Sequence, residues 1–102
     1  MSMTSDATQQ LSILRQRIDN IDAALIYMLA ERFRCTNEVG HLKAATHLPA
    51  CDPAREAEQI QRLKKLAEDA GLDMAFTKAF FTFLVGEVVA KHKIIARQNQ
   101  AK

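Results

Sequence analysis

Residues 11–33 read LSILRQRIDNIDAALIYMLAERF. Leu11, Leu14, Ile18, Ile21, Leu25 and Met28 recur in this stretch at steps of three and four. That is the period of an amphipathic helix, close to a heptad seam. Apolar character resumes at Val39 and Leu42, no Pro interrupts the segment, and Gly40 is its one weak helix former. The spacing predicts a first helix from about Thr8 to about Ala45, with Ser5 or Thr8 as alternative caps. Residues 1–8 are expected to be disordered.

Outward from this helix the punctuation falls at two places, His47–Pro53 and Gly71–Asp73. Asp52 suits an N-cap, and Pro53 fits the first helical position, where a missing N–H costs nothing. The second helix carries Ile60, Leu63, Ala67 and Ala70 as its stripe. Gly71 suits the left-handed position just past a helix end, and Asp73 caps a third helix. That helix holds Phe76, Phe80, Phe81, Phe83, Leu84, Val85, Val88, Val89, Ile94 and Ile95. It is apolar over much of its circumference, which predicts the most buried of the three. The fold class is all-α: three helices, one long and two shorter, with no strand.

The 102 residues bound the chain to a single domain, 1–102. Three Gly and two Pro are too few for a many-turned β architecture. Fourteen Lys/Arg against twelve Asp/Glu give a net charge of +2, without the basic excess of a nucleic-acid binder. No apolar run approaches the roughly 18–20 residues of a membrane span. Met1–Gln10 lacks the basic and apolar regions of a signal peptide. Cys35 and Cys51 form no metal-ligand pattern and read as reduced thiols of a cytoplasmic protein. No cofactor is called for.

Length imposes one further condition. A helix of roughly 38 residues is about 57 Å long, whereas a compact domain of this size is roughly 33 Å across. The first helix therefore overhangs its own domain and carries Leu11, Leu14 and Ile18 with it. Such a stripe needs a cover. A second copy of the chain supplies it most simply, as an antiparallel or entwined helical dimer.

Polar residues interrupt the apolar stripes at a few positions. Seven residues beyond Leu25 stands Arg32, and Lys43 follows eleven later on nearly the same face. Arg15 lies at the seam edge between Leu11 and Ile18. Glu56, next to Arg55, shares a stripe with Ile60, and His92 lies between Val88 and Ile95. Each has a plain structural reading. Arg32 and Lys43 can snorkel to water. Glu56 complements a helix dipole and Asp52 caps. Arg15 and Arg55 are ordinary surface charges, and a lone apolar-face His is commonly a satisfied core residue. Their coincidence is what points to function. Several cations turned toward one helical interior are costly without partners, and a bound polyanion resolves the cost.

These residues also carry a resemblance. Leu14-Arg15-Gln16-Arg17-Ile18-Asp19-Asn20-Ile21-Asp22, Leu29-Ala30-Glu31-Arg32, Val39-Gly40-His41-Leu42-Lys43 and Asp52-Pro53-Ala54-Arg55-Glu56 follow one another at spacings that resemble the all-helical chorismate mutases of the AroQ type. The match covers about Leu11 to about Ala96, and its strength lies in the ordered set. The resemblance implies an entwined six-helix homodimer with two equivalent sites, each completed by Arg15 from the partner subunit. It implies that Arg32, Lys43, Asp52, Arg55, Glu56, Val88 and His92 line the rest of each site. The implied substrate is chorismate, a small dianion, rearranged within the molecule to prephenate in aromatic amino acid biosynthesis. Arg15 and Arg32 then grip the carboxylates as bidentate forks, Arg55 helps fold the enolpyruvyl arm over the ring, and Glu56 accepts the ring hydroxyl. Lys43 and His92 are placed to donate to the ether oxygen. His92 departs from the Gln or Glu usual there, and Val88 replaces a small polar residue. Two other readings remain: an isochorismate pyruvate lyase of the same fold, and a dimerisation module without a ligand.

Overall fold

The computed structural model describes residues 3–101 and comprises three helices: α1 (Met3–Ala45), α2 (Pro53–Ala70) and α3 (Met74–Gln100). No strand occurs among the described residues. The expected order and lengths are met. The start of α1 differs, at Met3 rather than Thr8. No Pro or Gly stands between Met3 and Thr8 to stop the helix, and Asp6 in its first turn opposes the dipole favourably. Residues 3–8, expected to be disordered, are helical, while Met1 and Ser2 lie outside the described residues.

The chain divides into two compact units, and the boundary, between Arg34 and Cys35, falls within α1. The first unit consists of the helix alone. Its seam is open: Leu11, Leu14, Ile18, Ile21 and Leu25 are exposed, with Ile21 at 63%. A single helix has no second element on which to bury a stripe.

The second unit joins the last turns of α1 to α2 and α3. α2 begins as its sequence dictates, with an Asp52 oxygen accepting the Arg55 N–H at 3.1 Å and Pro53 in the first turn. Asp73 repeats the device for α3, accepting the Phe76 N–H at 2.8 Å. Both connecting loops close their preceding helix in the same way. At the end of α2, Leu72 N–H bonds the Ala67 carbonyl and Gly71 N–H the Glu68 carbonyl. At the end of α1, Leu48 N–H bonds the Lys43 carbonyl and His47 N–H the Ala44 carbonyl. Each is a Schellman turn, which needs a left-handed residue at its centre. Gly71 takes φ 70° without strain, whereas His47 takes φ 58° as the one described non-glycine with positive φ.

α3 packs on α2 and on the end of α1. Leu84, Thr77 and His92 of α3 are buried, as are Ala67 of α2 and Ala44 of α1. Phe80 bridges the α3 aromatics, 6.0 Å from Phe76 and 5.3 Å edge-on from Phe81. α3 thus holds more buried residues than either other helix, as expected, yet Phe76 and Phe83 stay exposed. α3 is apolar on more sides than its neighbours in this unit cover. The α1 contact is a row of small residues. Thr36, Gly40 and Ala44, one turn apart, face His92, Ile95 and Asn99.

The two turns make opposite predictions at their centres. Gly71→Ala should lower unfolding stability by about 1 kcal/mol, and His47→Gly should raise it by up to about 1 kcal/mol. Urea midpoints at one protein concentration, with unchanged slopes, check both.

Candidate active site

A cleft of about 420 Å³ in the second unit lies between α2 and α3. Ile60, Phe81, Val85 and Val89 form apolar walls, and Cys51, Glu56, Thr82 and Lys93 bring polar atoms to it. Glu56 is half-buried, with Oε1 3.9 Å from the Cys51 thiol. A mostly apolar cleft with a few convergent polar groups suits a small organic ligand.

The other expected residues of this unit stand apart from that lining. Asp52 is committed to its cap. Arg55 is exposed, with a guanidinium nitrogen 3.8 Å from a Glu58 oxygen. An exposed i,i+3 pair of that length adds at most about 0.5 kcal/mol, so Arg55 remains available. Lys43 is half-buried and lines a separate cleft of about 380 Å³ with His47, Leu48 and Asn99. Val88 is half-buried on α3.

His92 is buried at 4% exposure. Its Nε2 lies 2.7 Å from the Thr36 carbonyl oxygen. A carbonyl only accepts, so Nε2–H is the donor. Nδ1 is buried without a hydrogen-bond partner. A Cβ at position 40 would stand 2.6 Å from His92 Cδ2, so only glycine admits the ring here. In the first unit, Arg15 is exposed on the helix. Arg32 is half-buried, and its Nη1 is buried with no hydrogen-bond partner.

Sequence reasoning left Cys51 without a role and did not single out Thr82 or Lys93. The signal for Cys51 was its place just before the Asp52 cap, which sets it beside the first turn bearing Glu56. The Thr36 carbonyl carries no sequence signal, because any residue supplies one. Among the described residues no group of three His, Cys, Asp or Glu could hold a metal ion. Cys35 and Cys51 are free and exposed, and no described helix is long and apolar enough to cross a membrane.

The sequence profile of the chorismate mutase type II family matches residues 14–93, which include Arg15, Arg32, Lys43, Asp52, Arg55, Glu56, Val88 and His92. The chain belongs to that family. Chorismate mutase of Methanocaldococcus jannaschii is 28% identical over 94 residues, covering 92% of this chain and 95% of its own. The bifunctional chorismate mutase/prephenate dehydratase of Escherichia coli K12 is 31% identical over 100 residues, which is 98% of this chain. The chain spans only 25% of that relative's length. A 4-amino-4-deoxychorismate mutase of Streptomyces pristinaespiralis is 31% identical over 81 residues, covering 79% of this chain and 63% of its own. An all-helical chain of three elements agrees with membership of the chorismate mutase type II family.

The two helix-interior glycines of this family member should behave oppositely. Gly40→Ala should destabilise by about 1–3 kcal/mol, because the new Cβ displaces a ring already pinned to a carbonyl. Gly86→Ala meets nothing within 4 Å and should stabilise by up to about 1 kcal/mol through helix propensity. Chemical denaturation of both variants measures the contrast.

Proposed function

We propose that this chain is a chorismate mutase, rearranging chorismate to prephenate within aromatic amino acid biosynthesis. One feature of the chain carries this beyond family membership: Arg32 Nη1 is buried and has no hydrogen-bond partner. A buried guanidinium nitrogen without an acceptor is costly, and a substrate carboxylate supplies the acceptor.

The proposed site joins Arg15 of the partner subunit to Arg32, Lys43, Asp52, Arg55, Glu56, Val88 and His92. Arg15 and Arg32 bind the two carboxylates, each charged hydrogen bond contributing about 1.5–3 kcal/mol. Arg55 helps hold the enolpyruvyl arm over the ring, and Asp52 stands near the ring hydroxyl. Glu56, in the α2–α3 cleft, accepts that hydroxyl's proton in a hydrogen bond. Val88 offers no polar side chain, so a carboxylate contact at that point comes only from backbone. The name of the Streptomyces relative gives 4-amino-4-deoxychorismate as its substrate, which makes the ring substituent the feature on which relatives differ.

The reaction is unimolecular. The ether C–O bond breaks as a new C–C bond forms, the electrons circulate through the six reacting atoms, and no group leaves. Folding the substrate into its reactive chair provides proximity and strain of about 1–5 kcal/mol. Negative charge gathers on the ether oxygen, and the Lys43 ammonium is placed in the proposed site to stabilise it.

The exposed seam Leu11–Leu25 supports a homodimer, since a second copy of the same stripe buries it in a self-complementary way. Exposed free thiols at Cys35 and Cys51 suit a cytoplasmic protein.

Purified protein should consume chorismate, followed by its absorbance, and form prephenate. Arg32→Ala and Lys43→Ala should each lower kcat/KM by about 10²–10³-fold. Full activity in either variant sinks the assignment of that residue, and variants merely more stable than wild type in an inactive protein favour a bare dimerisation module. Subunit mixing tests Arg15. Arg15→Ala and Lys43→Ala proteins, inactive separately, should regain about a quarter of wild-type activity when unfolded and refolded together, because half the dimers are mixed and each then has one intact site. No recovery shows that Arg15 acts within its own subunit.

A further inference from the structure

Resting on the mutase reading above, we propose that His92 is a positioning residue, locked with its proton on Nε2, and leaves the ether oxygen to Lys43 alone. Three observations carry this. The one donor of the Nε2–H tautomer is spent on the Thr36 carbonyl, at 2.7 Å. Nδ1 is buried without a partner, so a second proton there would bury a donor with nothing to accept it. The ring cannot turn freely to change these roles, because its Cδ2–Nε2 edge sits in the space a side chain at Gly40 would fill. A Cβ at position 40 would come within 2.6 Å of Cδ2 and 3.2 Å of Nε2.

A bare Nδ1 presents a lone pair, and an oxygen gaining negative charge does not accept one. What the ring does instead is mechanical. It fills the slot over Gly40 and ties the Thr36 turn of α1 to α3. Lys43 follows Gly40 by three residues on the same helix, so the lock sets the depth at which its ammonium stands. Val88, one turn before His92, is set on α3 by the same contact.

The test uses the full chain labelled with ¹⁵N-histidine, without ligand and with saturating prephenate. Nitrogen chemical shifts should show His92 protonated on Nε2 and bare on Nδ1 in both states. Protonation of Nδ1 on adding prephenate, or loss of the Nε2 proton, overturns the proposal. Kinetics provide a second reading through His92→Phe, which keeps a ring in the slot but has no donor. Its kcat should fall about 10–100-fold with KM little changed, because a displaced Lys43 is felt in the transition state. Gly40→Ala should show the same split. The double variant should lose little more than either single one, since both break one contact. Independent, additive losses, or a change confined to KM, count against the lock. Should wild-type protein leave chorismate untouched, the mutase reading falls, while the nitrogen shifts of the free protein still decide the state of His92.

Discussion

The second unit depends on one row of contacts between the last turns of α1 and the end of α3. Thr36, Gly40 and Ala44 lie one turn apart and present a carbonyl, a gap and another carbonyl. His92 donates to the first, fills the second together with Ile95, and Asn99 Nδ2 donates to the third at 3.2 Å. Because Thr36 pairs with His92 and Ala44 with Asn99, the two helices run in the same direction here. Small residues make the approach possible, and polar side chains reaching backbone oxygens set its register. α2 is then the return strap, started by Asp52 and Pro53 and closed by Gly71.

The structure is conspicuous for what this chain leaves unsatisfied. No large side chain among the described residues is fully buried. The seam of α1 is open, and Phe76 and Phe83 of α3 remain exposed. Arg32 Nη1 and His92 Nδ1 are buried polar atoms without hydrogen-bond partners. These deficits differ in kind. Exposed apolar stripes call for more protein, and a second copy has the same stripe to bury. An orphaned guanidinium nitrogen calls for an acceptor, the role proposed for a substrate carboxylate. The bare Nδ1 calls for neither, because an unprotonated nitrogen is tolerated more easily than an unpaired charge.

Several expected site residues also have complete structural explanations, and the two readings are compatible. Asp52 caps α2 whatever else it touches. Arg55 is loosely paired with Glu58 and keeps its fork available. Gly40 is required by packing alone. Glu56 complements the N-terminal dipole of α2 from its first turn, and it also lies in the apolar-walled cleft next to Cys51.

Helix number, order and the starts of α2 and α3 were legible in the sequence because each rests on local chemistry. A period of three and four marks the faces, Asp-Pro and Asp73 mark the starts, and Gly71 marks a stop. The early beginning of α1 was missed because Ser5 and Thr8 read as caps, while nothing in Met3–Thr8 breaks a helix. The left-handed turn at His47 was missed because no glycine announces it. Cations on apolar stripes were legible too, as anomalies visible along the chain, and they supply the residues proposed for the site. The partner of each was not legible. That Nε2 of His92 meets the Thr36 carbonyl, that Gly40 is the slot for the ring, and that Cys51 sits against Glu56 all depend on helix separation and register. Those are decided by side-chain volumes meeting across elements far apart in sequence, and only the tertiary structure brings them together.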